Sequence, residues 1–238
     1  MPNKNGNAYG LTILCPIKNG IKDDKSYSSL TRWHLQDMQL NEHSPMAKVP
    51  ETYMCRFYVL NDVFYEGSPA HEEHLKSHYL VFSSNFHGSM EDYLRNMWQN
   101  VTTQVIDIWK YCVAFDKVTD ADGFVNYIKQ CQVKNNLFFV GANDESLAEQ
   151  LKALYLKQEF SKFVFENQKL NKRENASQLQ AAFNSFIKRT QPENLANPSW
   201  TPGACTESIN KTDIYTLDKD KKNNTSNTGD SSDKEATA

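Results

Sequence analysis

The chain has 238 residues, of which 39% are hydrophobic and 12% aromatic, so its length and apolar content suit one domain or two small ones. A formal net charge of -3 without a basic stripe argues against nucleic acid as a partner, because phosphate contacts supply most of that affinity. No apolar run approaches the ~18 residues that span a bilayer, which argues against a membrane protein.

The cysteines predict a cytoplasmic protein. They are five in number and widely spaced, without a C-x-x-C pair, and the first residues of the chain contain no apolar signal segment. We therefore expect reduced thiols that serve mostly as small core residues.

The first part of the chain predicts three strands and one helix. Residues 10–17 are apolar on both faces, and a helix is predicted to follow from Ser28 or Ser29, as N-cap, to about Leu40. The aromatic and β-branched residues of 53–63 and 78–86 predict the second and third strands.

The second part predicts helices around a fourth strand. Ser89 begins a helix with Asp92 in capping-box position, a second helical stretch covers 105–115, and Asp120 or Asp122 caps a third. Residues 136–141 predict the fourth strand. Asn143 or Asp144 then caps a long helix over 145–168, and a last amphipathic helix runs from 176 to about 189.

The order strand, helix, strand, strand, helical region, strand predicts an α+β fold with a ferredoxin-like βαββαβ sheet and extra C-terminal helices. A less regular α+β sandwich is the alternative. We expect one domain over 1–190 and a low-complexity, disordered tail over 191–238, where Asn, Ser, Thr, Lys and Asp come to dominate. The helices of this topology cover one sheet face, so the other face must pack on later helices, a second subunit or a ligand.

The three predicted strands over 10–17, 53–63 and 78–86 resemble those of the dimeric α+β barrel superfamily, over roughly the first 140 residues. That superfamily includes antibiotic-biosynthesis monooxygenases, chlorite dismutases and dye-decolourising peroxidases. The resemblance implies a homodimer and allows haem. Asp122-Gly123 lacks the pattern around the Asp-Gly signature of the haem-binding members, so no functional residue is transferred.

The common nucleotide-binding and hydrolase motifs are absent from the sequence. Residues 70–78 contain His71, His74 and His78, which would share one face if this stretch were helical and could then hold a divalent metal. The alternative is an exposed turn in which the three rings diverge and no metal binds.

Arg56 is the one charged residue within an apolar strand, on the same face as Met54, Tyr58 and Leu60. It is predicted either to pair with a carboxylate such as Asp37 or Glu51, or to bind an anionic ligand such as a haem propionate.

His34, on the first helix, and His87, at the end of the third strand, are the candidate catalytic residues. A histidine on an apolar helix face is more often a hydrogen-bonded core residue. His87 precedes a helix N-terminus, where an anion can bind.

Two functional hypotheses follow. In the first, the protein is a self-associating binding or accessory module for a small apolar ligand or a protein partner, with the sheet face as the interface. In the alternative, it is a peroxidase-like or monooxygenase-like oxidoreductase of the dimeric α+β barrel type that could use haem or a divalent metal.

Overall fold

The computed structural model describes residues 3–63, 67–68, 74–141, 144–170, 172–191 and 197–204. The chain forms two compact units, Met1–Gln150 and Leu151–Ala238, which we describe separately. The single domain over 1–190 stays a prediction. The tail predicted over 191–238 lies largely outside the described residues.

The strands are β1 (Lys4–Asn5), β2 (Ala8–Pro16), β3 (Ile21–Lys22), β4 (Lys25–Ser26), β5 (Thr52–Leu60) and β6 (Tyr79–His87). The helices are α1 (Tyr27–Gln36), α2 (Met90–Trp109), α3 (Ala121–Cys131), α4 (Leu147–Glu166) and α5 (Ala176–Thr190). Among these described helices, none has the length and apolarity to cross a membrane. The described elements combine antiparallel strands with separate helices, so the fold is α+β, as predicted.

One antiparallel sheet organises the first unit, in the order β1-β2-β6-β5. Its three long strands are those predicted around 10–17, 53–63 and 78–86, with ends shifted by one to three residues. The pairing is continuous from Ala8 opposite His87 to Pro16 opposite Tyr79, and β5 pairs with the other edge of β6. β3 and β4 form a separate two-stranded hairpin.

The core lies on one face of this sheet, between the strands and helices α2 and α3. Leu11, Ile13, Leu80 and Phe82 face it and are at most 1% exposed. The helices supply the facing side chains, which are Tyr93, Leu94, Met97, Val105, Ile108, Trp109, Phe124 and Ile128. Burying a side chain of this size contributes about 1.5–3 kcal/mol, so this layer supplies most of the stability of the unit.

Helix caps are confirmed at α2 and α3. The hydroxyl of Ser89 accepts a hydrogen bond from the Asp92 N–H at 3.1 Å, and the Asp120 carboxylate accepts one from the Gly123 N–H at 2.7 Å. The two predicted helical stretches over 89–115 form one helix, α2, with a kink at Val101.

Caps were wrongly predicted at α1 and α4. Ser26, not Ser28 or Ser29, accepts from the Ser29 N–H at 3.2 Å, and α1 ends at Gln36. At α4, Ser146 and Glu149 form a reciprocal capping box. The Asp144 carboxylate instead accepts two hydrogen bonds from Asn7, and Asn143 lies outside the described residues.

The predicted fourth strand is wrong, because residues 136–141 are not a strand. Pairing with β2 is reduced to one bridge between Ile13 and Gln132, with the Val133 N–H donating to the Thr12 carbonyl at 2.8 Å. The chain then leaves the sheet edge, and the Phe138 ring lies against Gly10 on the other sheet face. Without this strand, the ferredoxin-like order is not confirmed.

The second unit contains the rest of α4, together with α5. Rings of Phe160, Phe163, Phe183 and Phe186 pack between these helices with centroids 5.4–6.1 Å apart. The buried Lys152 ammonium donates to the carbonyls of Thr190 and Pro198, and the Trp200 indole N–H donates to Gln158. These contacts join residues 197–204 to the helix pair.

Gly10 is expected to be required for the position of Phe138. A Cβ at Gly10 would lie 2.8 Å from the Phe138 ring, so Gly10→Ala should lower the free energy of unfolding by about 1–3 kcal/mol in chemical denaturation. Gly141→Ala is the matched control, since its Cβ would be 3.4 Å from the Phe139 ring, and it should stay within about 0.5 kcal/mol of wild type. Equal effects of the two variants would show that Phe138 does not pack on Gly10.

Candidate functional site

The sheet face turned away from α2 and α3 is called here the open face. Its side chains are Ala8, Gly10, Thr12, Leu14 and Pro16 of β2, Met54, Arg56, Tyr58 and Leu60 of β5, and Tyr79, Val81, Ser83, Asn85 and His87 of β6. Met54 is 59% exposed and Tyr58 48%, whereas their strand neighbours on the core side, Cys55, Phe57 and Val59, are partly buried. Along β5 the open face thus exposes apolar side chains to solvent, interspersed with polar ones such as Arg56.

A cleft of about 240 Å³ lies at one end of the open face, between the sheet and residues 138–141. It is lined by Ala8, Tyr53, Met54, Asn85, Phe138, Phe139, Val140, Gly141 and Gln150. The walls are mainly apolar, and the amides of Asn85 and Gln150 are the polar groups. Sequence analysis missed this cleft because Phe138 and Phe139 resembled strand residues.

Tyr53 forms the end of the cleft next to α4. Its hydroxyl donates a hydrogen bond to the Glu145 carbonyl at 2.8 Å. Desolvation, together with the negative charges of Glu51 and Asp144, raises the pKa of Tyr53 to about 12. The phenol is therefore neutral at pH 7 and acts there as a donor.

Arg56 lies on the open face with Met54, Tyr58 and Leu60, as predicted, and its side chain is exposed. Within the described ranges, no carboxylate lies within 4.0 Å of its guanidinium. Neither predicted partner pairs with it: Glu51 accepts from the Leu147 N–H at 2.8 Å, and Asp37 caps the end of α1. Binding of an anionic ligand by Arg56 stays a prediction.

The predicted histidine cluster lies at the end of the 61–78 connection. His71 is outside the described residues. His74 and His78 are not on a helix, and their Nδ1 atoms contact Asp62 at 2.8 Å and Asn61 at 3.1 Å. In the parts of the chain that the structure describes, no group of three His, Cys, Asp or Glu residues could hold a metal. The three-histidine metal site stays a prediction.

Asp62 organises this connection. Its carboxylate accepts hydrogen bonds from the backbone N–H groups of Leu75 and Val63, both at 2.9 Å, in addition to contacting His74. The pKa of Asp62 is lowered to about 2. The hydrogen bond from Leu75 has the largest effect, followed by those from His74 and Val63. Asp62 thus holds together the two ends of the connection between β5 and β6.

The two candidate catalytic histidines do not converge. His34 is on α1, whose partly buried residues pack on the core side, and its Nε2 is buried without a partner among the described residues. His87 is at the end of β6 on the open face, with its ring edge-on to Tyr53 at 6.4 Å. The structure therefore brings neither histidine together with Arg56.

A carboxyl pair near His87 was not predicted. A hydrogen bond that the Glu145 carboxyl donates to Glu149 raises the pKa of Glu145, whereas hydrogen bonds from Ser146 lower the pKa of Glu149. Glu145 lies at the Tyr53 end of the cleft, where its backbone carbonyl accepts the hydrogen bond from the Tyr53 hydroxyl. Because Glu145 and Glu149 follow each other at helical spacing, the pair is a local consequence of the α4 N-terminus.

Three cysteines meet in the core, where Cys15 interacts with both Cys112 and Cys131. The interaction with Cys112 and the loss of solvent raise the pKa of Cys15 to about 12. The contact of Cys131 with Cys15 likewise raises the pKa of Cys131. Burial raises the pKa of Cys55 to about 11. All four described cysteines are free thiols. The three with a raised pKa, Cys15, Cys55 and Cys131, are poor nucleophiles at neutral pH.

No protein-family model, no curated protein and no solved structure matches this chain. The resemblance to dimeric α+β barrel proteins, and the haem and oxidoreductase hypotheses that came with it, stay predictions.

The Asp62 contacts predict a pH dependence of stability. The folded-state pKa of about 2 lies below the ~3.9 of an unfolded Asp, so the contribution of Asp62 is complete above pH ~4 and is lost as the pH falls through 2. Asp62→Asn should therefore melt below wild type at pH 6, with the difference closing towards pH 2. A difference in melting temperature that is constant over this range would contradict the role of the carboxylate.

Proposed function

We propose that residues 1–150 form a self-associating binding module, in which two copies pack their open faces together and the cleft receives a small apolar ligand. The observation that carries this proposal is the exposed apolar surface of the open face and of the segment that crosses it. Met54 and Tyr58 belong to this surface, and Leu137 and Phe139, on either side of Phe138, are 86% and 78% exposed.

Soluble monomers rarely expose contiguous apolar patches beyond a few hundred Å². Three strands of nine residues form a face roughly 30 Å by 14 Å, and the segment over 137–141 covers part of it with its own exposed side chains. Two such faces together would bury on the order of 1,000 Å², at the lower end of specific interfaces. The available area therefore supports a weak to moderate dimer.

From an area of this size we expect a concentration-dependent dimer in the micromolar range rather than a permanent one.

A two-fold axis would bring the same patch of both copies together, as in most homodimers. Arg56 lies between Met54 and Tyr58 on this face, so its aliphatic stem adds apolar area to the contact while its guanidinium must keep access to solvent or to an anion.

We also infer that the sheet is a ferredoxin-like sheet with a reduced fourth strand. The order β2-β6-β5 is the first-third-second order of such a sheet, and the bridge between Ile13 and Gln132 lies where the fourth strand would pair. The resemblance of the strands to dimeric α+β barrel proteins supports the same arrangement.

Light scattering at increasing protein concentration tests self-association. The wild-type mass should rise from 27.3 kDa towards twice that value between low and high micromolar concentration. Tyr58→Lys should raise the dissociation constant at least tenfold, because it places an ammonium in the centre of the contact.

Ile106→Lys provides the matched control. Ile106 is 43% exposed on α2, the helix that covers the core side of the sheet, so a lysine there should leave the dimer unchanged. A wild-type mass of 27.3 kDa at every concentration, or equal effects of the two variants, would overturn the open face as the interface.

A further inference from the structure

The cleft has the size and walls for a single small ring. Its volume of about 240 Å³ is below the roughly 300–1,000 Å³ of pockets that hold drug-sized ligands. Phe138, Phe139 and Tyr53 present aromatic surfaces, and Met54 adds a flexible apolar contact. A flat apolar group is the best match to these walls.

The cleft also has a polar group available for a ligand. The side-chain amide of Asn85 lines it and forms no hydrogen bond with any described residue. The Gln150 amide is less available, because its Nε2 donates to the Glu145 carbonyl at 2.9 Å. Asn85 can therefore donate to an oxygen of the ligand.

Charges at the two ends of the cleft determine which ligand charge is favoured. Arg56 follows Met54 by two positions on the same face, about 7 Å along the strand, and lacks a described carboxylate partner. Glu145 and Glu149 are at the opposite end, near Tyr53 and His87. A negative group on the ligand is therefore attracted towards Arg56 and repelled from the other end.

We infer that the cleft binds a small aromatic monocarboxylate, with its ring between Met54 and Phe139 and its carboxylate paired with Arg56. This deepens, and rests on, the proposed binding function of the open face. A guanidinium binds a carboxylate through two parallel hydrogen bonds, which fixes the orientation of the ligand as well as its charge.

Titrations of the full chain with benzoate and benzamide, followed by ligand-observed NMR, test the inference. The two probes have the same ring and differ in the charge. Wild type should bind benzoate at least fivefold more tightly than benzamide, and Arg56→Gln should remove this difference. Arg173→Gln, an equal loss of charge at an exposed position of the second unit, should retain it.

Phe139→Ala should weaken the binding of both probes at least threefold, because it removes one wall of the cleft. Arg56 and Phe139 are exposed, so both variants are expected to melt as wild type does. Equal wild-type affinities, a benzoate preference that persists in Arg56→Gln, or unchanged binding in Phe139→Ala would each overturn the inference.

Failure of this inference is distinguishable from failure of self-association. A monomeric protein that still prefers benzoate through Arg56 would contradict only the dimer. A dimer that is broken by Tyr58→Lys but binds neither probe would contradict only the carboxylate site.

Discussion

Side chains of a β-strand alternate between its two faces, and in the first unit helices α2 and α3 pack on one face of the sheet. On β5, Cys55, Phe57 and Val59 therefore point to the core, whereas Met54 and Tyr58 point to the open face and remain about half exposed. A shift of one residue in the pairing of β5 with β6 would exchange the two sets. The proposed interface and ligand site both depend on this register.

The second constraint is the path of the chain after α3. One bridge to β2 is formed, after which the segment turns across the open face, and the absence of a side chain at Gly10 makes room for the Phe138 ring. This places Phe139 and Met54 among the residues that line the same cleft. A regular fourth strand would extend the sheet edge and leave no such cleft.

Local patterns in the sequence were sufficient for most elements of the fold. The three long strands, the caps at Ser89 and Asp120, and the shared face of Met54, Arg56 and Tyr58 followed from periodicity and capping chemistry. The cap at Ser26 was missed because several neighbouring serines satisfy the same rule. The capping box of α4 was missed because Asp144, two residues earlier, is an equally good cap by type, and only its contact with Asn7 excludes it.

Tertiary contacts determined what could not be predicted. Residues 136–141 have strand composition, but Gly10 offers Phe138 a position on the face of the sheet instead of its edge. The cleft joins residues that are up to 142 positions apart, so no local pattern contains it. The spacing of His74 and His78 suits one face of a helix, but the two residues are not helical. Their rings instead contact Asp62 and Asn61, which are distant in sequence.

The central claim is that the open face becomes buried when two copies meet. Hydroxyl-radical footprinting at protein concentrations from roughly 0.1 µM to about 100 µM measures this residue by residue. The account predicts that oxidation of Met54 and Tyr58 slows severalfold with rising concentration, while that of Trp33, which is 49% exposed on α1, stays constant. Rates at Met54 and Tyr58 that do not depend on concentration would contradict it.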